Sequence, residues 1–254
     1  MSLRMARRAV ALVFVLISSI IRFWLMPLRG TRTLERRARW VQKTCLDVLR
    51  SMGIRYRVEG QPPTSGLVVA NHLSYLDILI LSAAMPCFFV AKAEIDSWPY
   101  FGKAARGGGT LFIDRSSLAS AERVSALISE RLKLPVPVLF FPESTSTDGS
   151  SVLRFHSRLF EPAIASGAPI TAATIRYVIE DGTPERELCW YGDESFLPHL
   201  LKTLNTPGFF AEVRFGEPHT YTHRRVAAAR THDEIAAMRD SALCTERQEV
   251  LQAV

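Results

Sequence analysis

The chain is poor in cysteine and has no paired-cysteine motif. Cys45, Cys87, Cys189 and Cys244 stand 42, 102 and 55 residues apart, and no C-x-x-C occurs. Neither a structural zinc site nor a redox pair is therefore expected, and a reducing compartment fits. Also missing are G-x-S-x-G, H-E-x-x-H, G-x-x-x-x-G-K-[ST] and G-x-G-x-x-G. These absences argue against a nucleophile-elbow hydrolase, a zincin, a P-loop enzyme and a dinucleotide-binding fold. Gly107-Gly108-Gly109 lacks the lysine that a phosphate loop needs. Internal repeats and low-complexity tracts are absent too. At 254 residues, 48% hydrophobic and 22% charged, the chain has a globular balance, and one domain with an appendage is expected.

Charge is unevenly spread. Of the formal net +6, residues 1–43 carry +9, ten basic residues against Glu35 alone, so residues 44–254 carry −3. A nucleic-acid binder should show its basic stripe on the folded body. Here the body is slightly acidic and the cations flank a greasy segment, so the expected partner is an anionic membrane surface and not nucleic acid.

That segment has thirteen uncharged residues, 9–21, and continues past Arg22 as Phe23-Trp24-Leu25-Met26. Thirteen helical residues span about 20 Å, less than a hydrocarbon core of about 30 Å. Both flanks are basic, which favours an anchor dipping into one leaflet, followed by an interfacial amphipathic helix over 32–52. A single span and a signal peptide are the alternatives, although no A-x-A-like cleavage site follows.

Beyond residue 52 short apolar runs alternate with helical patterns. Strands are expected at 54–58, 66–70, 88–91, 110–113, 136–141, 170–178 and 211–215, with helices at 75–84 and 117–132. Turn-rich stretches at 61–65, 148–151 and 181–184 read as surface loops. Residues 231–254 read as a polar helix capped by Thr231. Strands alternating with helices predict an α/β fold with a mostly buried mixed sheet flanked by helices. The organisation expected is an N-terminal anchor and interfacial helix over 1–52 and one domain over 53–254.

Three clusters carry chemistry. The first, Asn71-His72-Leu73-Ser74-Tyr75-Leu76-Asp77, follows a strand and opens a helix, where open α/β sheets place their sites. Asp77 can fold back onto one imidazole nitrogen of His72 and leave the other as a general base. Equally, Ser74 and Asp77 fit a helix cap with an acidic third position. The second cluster ends a strand at Asp114-Arg115. Its arginine fork suits a phosphate or carboxylate, or makes an exposed ion pair of small consequence. In the third, Phe141-Pro142-Glu143-Ser144-Thr145-Ser146-Thr147-Asp148-Gly149 releases a glutamate and several hydroxyls after a strand. Glu143 can accept from substrate hydroxyls, and the N–H groups of residues 144–146 can meet an anion; a plain turn is the alternative.

Asn71-His72…Asp77, Gly109…Phe112-Ile113-Asp114-Arg115 and Phe141-Pro142-Glu143-x-Thr145 stand in the order seen in the 1-acylglycerol-3-phosphate acyltransferase family, which this chain resembles over about 55–220. Lysophospholipid and lyso-ornithine-lipid acyltransferases belong to that group. The resemblance implies that His72 is the general base held by Asp77, that Arg115 and Glu143 bind the acceptor's head group, and that a fatty acyl thioester is the donor. Ser144 and Thr145 would join the head-group site. Two departures stand out: Ser144 replaces a usual Gly, and Ser146 a common Arg. The first restricts a position that favours positive φ; the second removes a cation, for which Arg154 or Arg158 can substitute. The family's fourth motif survives as Ala168-Pro169-Ile170.

The expected activity is O-acyl transfer from acyl carrier protein or acyl-CoA to a lysolipid hydroxyl, with no cofactor and no metal, at the cytoplasmic face of a bacterial inner membrane. The run after Glu143 resembles the lyso-ornithine branch more than the phosphatidate branch. A lipid hydrolase and a catalytically silent lipid-binding protein are the competing classes.

Overall fold

A computed structural model describes residues 2–179 and 181–252, side chains of 29 and 242–252 excepted; Cys244 and the last two residues of the expected C-terminal helix lie outside that description. Seven strands form one sheet: β1 (Ile54–Glu59), β2 (Leu67–Ala70), β3 (Phe88–Lys92), β4 (Leu111–Ile113), β5 (Val138–Phe140), β6 (Ile170–Val178) and β7 (Phe209–Phe215). Their spatial order is β1-β7-β6-β2-β5-β3-β4. Only β6 and β7 run antiparallel, so the sheet is mixed.

Helices cover both faces. On one side lie α2 (Leu34–Met52) and α3 (Leu76–Ala84); on the other, α5 (Leu118–Arg131) and α8 (Arg224–Gln252). Central strands serve two cores by alternation: Val68, Ala70 and Leu139 face one, Leu67, Val69 and Val138 the other. A strand buried on both faces reads as an unbroken apolar run, which is why these strands stand out in sequence.

The N-terminal apolar helix is longer than its uncharged core. α1 (Leu3–Leu25) has 23 residues and spans about 35 Å. Within Leu3–Leu28 an 18-residue window reaches a mean hydropathy of 2.3 and is 11% buried, so length and composition alone would allow a crossing. Arg22, a good helix former, sits within the helix, and Asp47 on α2 takes its guanidinium at 2.6 Å. One face of α1 packs on the body through Met5, Leu12 and Leu16. Buried Arg8 donates to the carbonyls of Thr206 (2.6 Å) and Pro207 (3.2 Å), and Ser19 bonds Thr44 at 2.7 Å. The opposite face exposes Val10, Val13, Phe14, Ile17, Ile20, Ile21, Trp24 and Leu25, a continuous apolar stripe at helical spacing. The boundary at 52/53 falls on Gly53, the left-handed cap of α2, yet Cys45, Val48, Leu49 and Met52 share a core with the strands.

Three further helices lie outside the stretches expected to be helical: α4 (Phe101–Gly108), α6 (Glu161–Ser166) and α7 (Phe196–Asn205). The C-terminal helix corrects an expectation. Thr231 does not cap it; α8 starts at Arg224, and the buried Thr231 hydroxyl donates to the Ala227 carbonyl at 2.8 Å. A hydroxyl that can bond back within a helix is indistinguishable in sequence from one that starts it.

Candidate active site

β2 is flanked by β5 and β6, and its carboxyl end opens into the loop to α3. Asn71 fixes that end. Its amide donates to Ile175 O (3.1 Å) and accepts from Ile175 N–H (2.9 Å), extending the β2–β6 ladder by one side chain. The next residue, His72, stacks on Phe141 with ring centroids 4.0 Å apart and planes within 8°.

Asp77 lies in the first turn of α3 with its side chain fully buried. Its Oδ2 meets His72 Nδ1 at 2.8 Å and accepts the backbone N–H of Leu73 (2.7 Å) and Ser74 (3.0 Å). Oδ1 accepts the hydroxyl of Tyr177. A carboxylate surrounded by donors has no proton to give, so Nδ1 of His72 must carry the hydrogen and Nε2 the lone pair. One oxygen of Asp77 thus meets the His72 ring and accepts two backbone N–H groups ahead of α3. The cap position falls on Tyr75, which makes no side-chain cap bond, while Ser74 Oγ one residue earlier accepts the Leu76 N–H at 3.4 Å.

Glu143 is fixed to two backbone segments. It is buried, with Oε1 accepting His72 N–H (2.8 Å) and Oε2 accepting Leu153 N–H (2.7 Å). Burial pushes its carboxyl above the ordinary range, partly offset by these two N–H donors. Each oxygen thus accepts one backbone N–H, and Glu143 does not line the cavity, so its contacts here are to backbone. Thr147 N–H completes the clamp by donating to His72 O at 2.9 Å.

The cavity beside His72 measures about 530 Å³, within the range of small-molecule sites. Arg115, Ser144 and Thr145 line its polar end. Arg115 donates to the carbonyl of Ser144, whose φ is +69°. This is the left-handed conformation that a glycine would adopt without strain. Arg154 is exposed and does not line the cavity, and Arg158 is exposed too. The cation that does join Arg115 there is Lys92, at the end of β3, with Glu94 close by in sequence. Neither residue stood out in sequence, because a charge at a strand end resembles any solvated terminus. The remaining walls are apolar: Tyr75, Ile78, Leu79 and Ser82 present one face of α3, opposite Val41, Cys45 and Val48 of α2 and Phe101 of α4. Among the described residues no group of His, Cys, Asp and Glu is arranged to hold a metal ion.

Residues 54–176 match the family model described as Acyltransferase. A lyso-ornithine lipid O-acyltransferase from Rhodobacter capsulatus is 39% identical over 184 residues, 70% of this chain and 65% of that one. A 1-acyl-sn-glycerol-3-phosphate acyltransferase from Neisseria meningitidis is 40% identical over 152 residues, 58% of this chain and 59% of that one. The matches therefore span about three fifths of these relatives' length. The crystal structure of a 1-acyl-sn-glycerophosphate acyltransferase from Thermotoga maritima superposes with a TM-score of 0.67 at 19% identity, over 94% of this chain and 98% of that one, and so shares the fold. By its motifs, its sheet and these relatives, the chain belongs to the acyltransferase family that includes the lyso-ornithine-lipid and 1-acylglycerol-3-phosphate acyltransferases.

Proposed function

We propose that this protein transfers a fatty acyl group from an acyl thioester to the free hydroxyl of a lysolipid. The observation that carries this reading is a donor-saturated Asp77 behind His72, at the polar end of an apolar cavity large enough for an acyl chain. His72 Nε2 takes the hydroxyl proton as the oxygen attacks the thioester carbonyl. The tetrahedral adduct then collapses, the C–S bond breaks, and the thiolate leaves with the proton from His72. No acyl-enzyme is required, since a thiolate is already a good leaving group.

Arg115 and Lys92 hold the anionic group of the acceptor, and the alkyl chain lies between α2, α3 and α4. A lyso-ornithine acceptor suits this site better than a phosphate monoester. Ornithine's single carboxylate needs fewer cations than a dianionic phosphate, Ser146 stands where the family commonly has an arginine, and Glu94 can meet the ornithine ammonium. The exposed stripe of α1, flanked by basic residues, would lie in one leaflet of the cytoplasmic face. Acyl carrier protein and acyl-CoA both satisfy this chemistry.

The test is an acceptor panel, lyso-ornithine lipid, lysophosphatidate and other lysophospholipids, assayed with radiolabelled acyl-acyl carrier protein and acyl-CoA. Acylated ornithine lipid as main product is expected. Phosphatidate as main product would reassign the acceptor; free fatty acid alone would make the protein a hydrolase, and no product at all a silent binder.

A further inference from the structure

Tyr177 is fully buried near the end of β6, exactly one hundred residues along the chain from the carboxylate it touches. Its hydroxyl donates to Asp77 Oδ1, the oxygen that the three donors on Oδ2 leave open. The tyrosine is also held from behind. Its N–H donates to Glu185 Oε1 (2.7 Å), and Glu185 Oε2 takes Arg239 Nη2 (2.8 Å). The same guanidinium, buried on α8, donates to Ile175 O (2.7 Å) and Gly149 O (2.8 Å). Gly149 has φ +81°, and a Cβ there would stand 2.8 Å from Glu185 Oε2, so the loop and the ion pair fit only with glycine between them. That loop also carries Thr147, which grips the His72 carbonyl. β6, α8 and the loop therefore fix Tyr177 and His72 in one frame.

We propose that Tyr177 is the third member of the chain behind His72, a positioning residue that acts through Asp77: its hydroxyl holds the carboxylate in one orientation and disperses its charge, so that the imidazole releases its proton to the leaving thiolate. This rests on the acyl-transfer reading above. A carboxylate that keeps its full charge binds an imidazolium more tightly, which helps proton capture but slows proton release. Burial and the charge of Asp77 push the Tyr177 phenol far above its ordinary range, so it stays a donor throughout. The other titratable groups facing this core are Glu143, Glu185, Cys189 and Arg239. Glu143 takes two backbone N–H groups, Glu185 pairs with Arg239, and burial pushes the Cys189 thiol up.

The experiment measures kcat and KM against pH for the full chain in lipid vesicles, with acyl thioester donor and lysolipid acceptor. Tyr177→Phe removes only the hydroxyl. It is expected to move the acid limb of kcat/KM upward by about half a pH unit or more and to lower kcat about three- to tenfold, with KM within about twofold. Site-specific 3-fluorotyrosine at the same position keeps the hydroxyl and makes it a stronger donor, so the limb should move to lower pH. The fluorinated protein decides the matter if Tyr177→Phe folds poorly. Limbs that stay at the wild-type position, whatever the thermal midpoint does, would reduce Tyr177 to a buried structural residue and overturn the proposal. A wild type that transfers no acyl group would instead overturn the reading on which it rests.

Discussion

Glu143 grips the backbone of His72 and not its ring: Oε1 accepts the His72 N–H at 2.8 Å, 71 residues away in sequence. The other carboxylate oxygen accepts Leu153 N–H, so one buried side chain ties the β2 and β5 loop ends together. Replacing Glu143 by Gln turns one acceptor into a donor facing an N–H. The expected loss is about 1–3 kcal/mol of stability with a lower kcat, and an unchanged KM for the acceptor. Chemical denaturation and steady-state kinetics on one preparation test this. A raised acceptor KM with normal kcat and stability would return Glu143 to head-group binding.

His72→Ala should lower turnover by about 10²–10⁴-fold, the usual contribution of a positioned base. The ring stacks on Phe141, so a stability cost of about 0.5–1.5 kcal/mol is expected alongside. Near-normal turnover in the folded variant would remove His72 from the chemistry.

Asp77→Asn should fail on both counts, because the same oxygen that orients His72 also accepts two backbone N–H groups. Turnover is expected to fall at least about 10²-fold, and stability by about 1–3 kcal/mol. Stability loss with retained turnover would leave Asp77 a helix-start residue alone.

The apolar stripe of α1 gives a prediction that spares the fold. Phe14 and Trp24 are each 68% exposed. Changing both to Asp should sharply reduce flotation with anionic vesicles while leaving the thermal midpoint near wild type, because neither contributes to the core. Undiminished flotation would place the membrane contact elsewhere. Deleting the helix is a poorer test, since Arg8 and Arg22 hold α7's end and α2.

His199 on α7 makes stability depend on pH. Burial lowers its value from 6.5, and its Nδ1 meets the Tyr75 hydroxyl at 3.1 Å. The unfolded chain therefore binds this proton more readily than the folded one. The contribution is fully present above pH 6.5 and is lost as pH falls through the lowered folded value. Denaturation midpoints at pH 7.5 and pH 5 should differ less in His199→Gln than in wild type. An unaltered difference would assign the acid sensitivity to other groups.

Much of the sheet was legible in sequence, since β2 and β5 are buried on both faces and read as continuous apolar runs. The His72–Asp77 pair was legible because it spans one turn, and local geometry brings its atoms together whatever surrounds them. A short helix such as α6, six residues long, carries too little periodic signal to be seen. What the rest of the site does depends on partners far along the chain. Glu143 and Arg154 both looked like ligands for a head group. Folding buries the first against two N–H groups and leaves the second exposed beyond the cavity. Tyr177 falls inside the expected strand 170–178 with nothing to mark it out, and Lys92 lies just past the expected strand 88–91. Sequence alone determined which residues could take part in proton transfer, because spacing within one turn is a local property. Only the tertiary structure decided which of them line the cavity and which hold the frame, because burial and hydrogen-bond saturation arise where separate strands and helices meet.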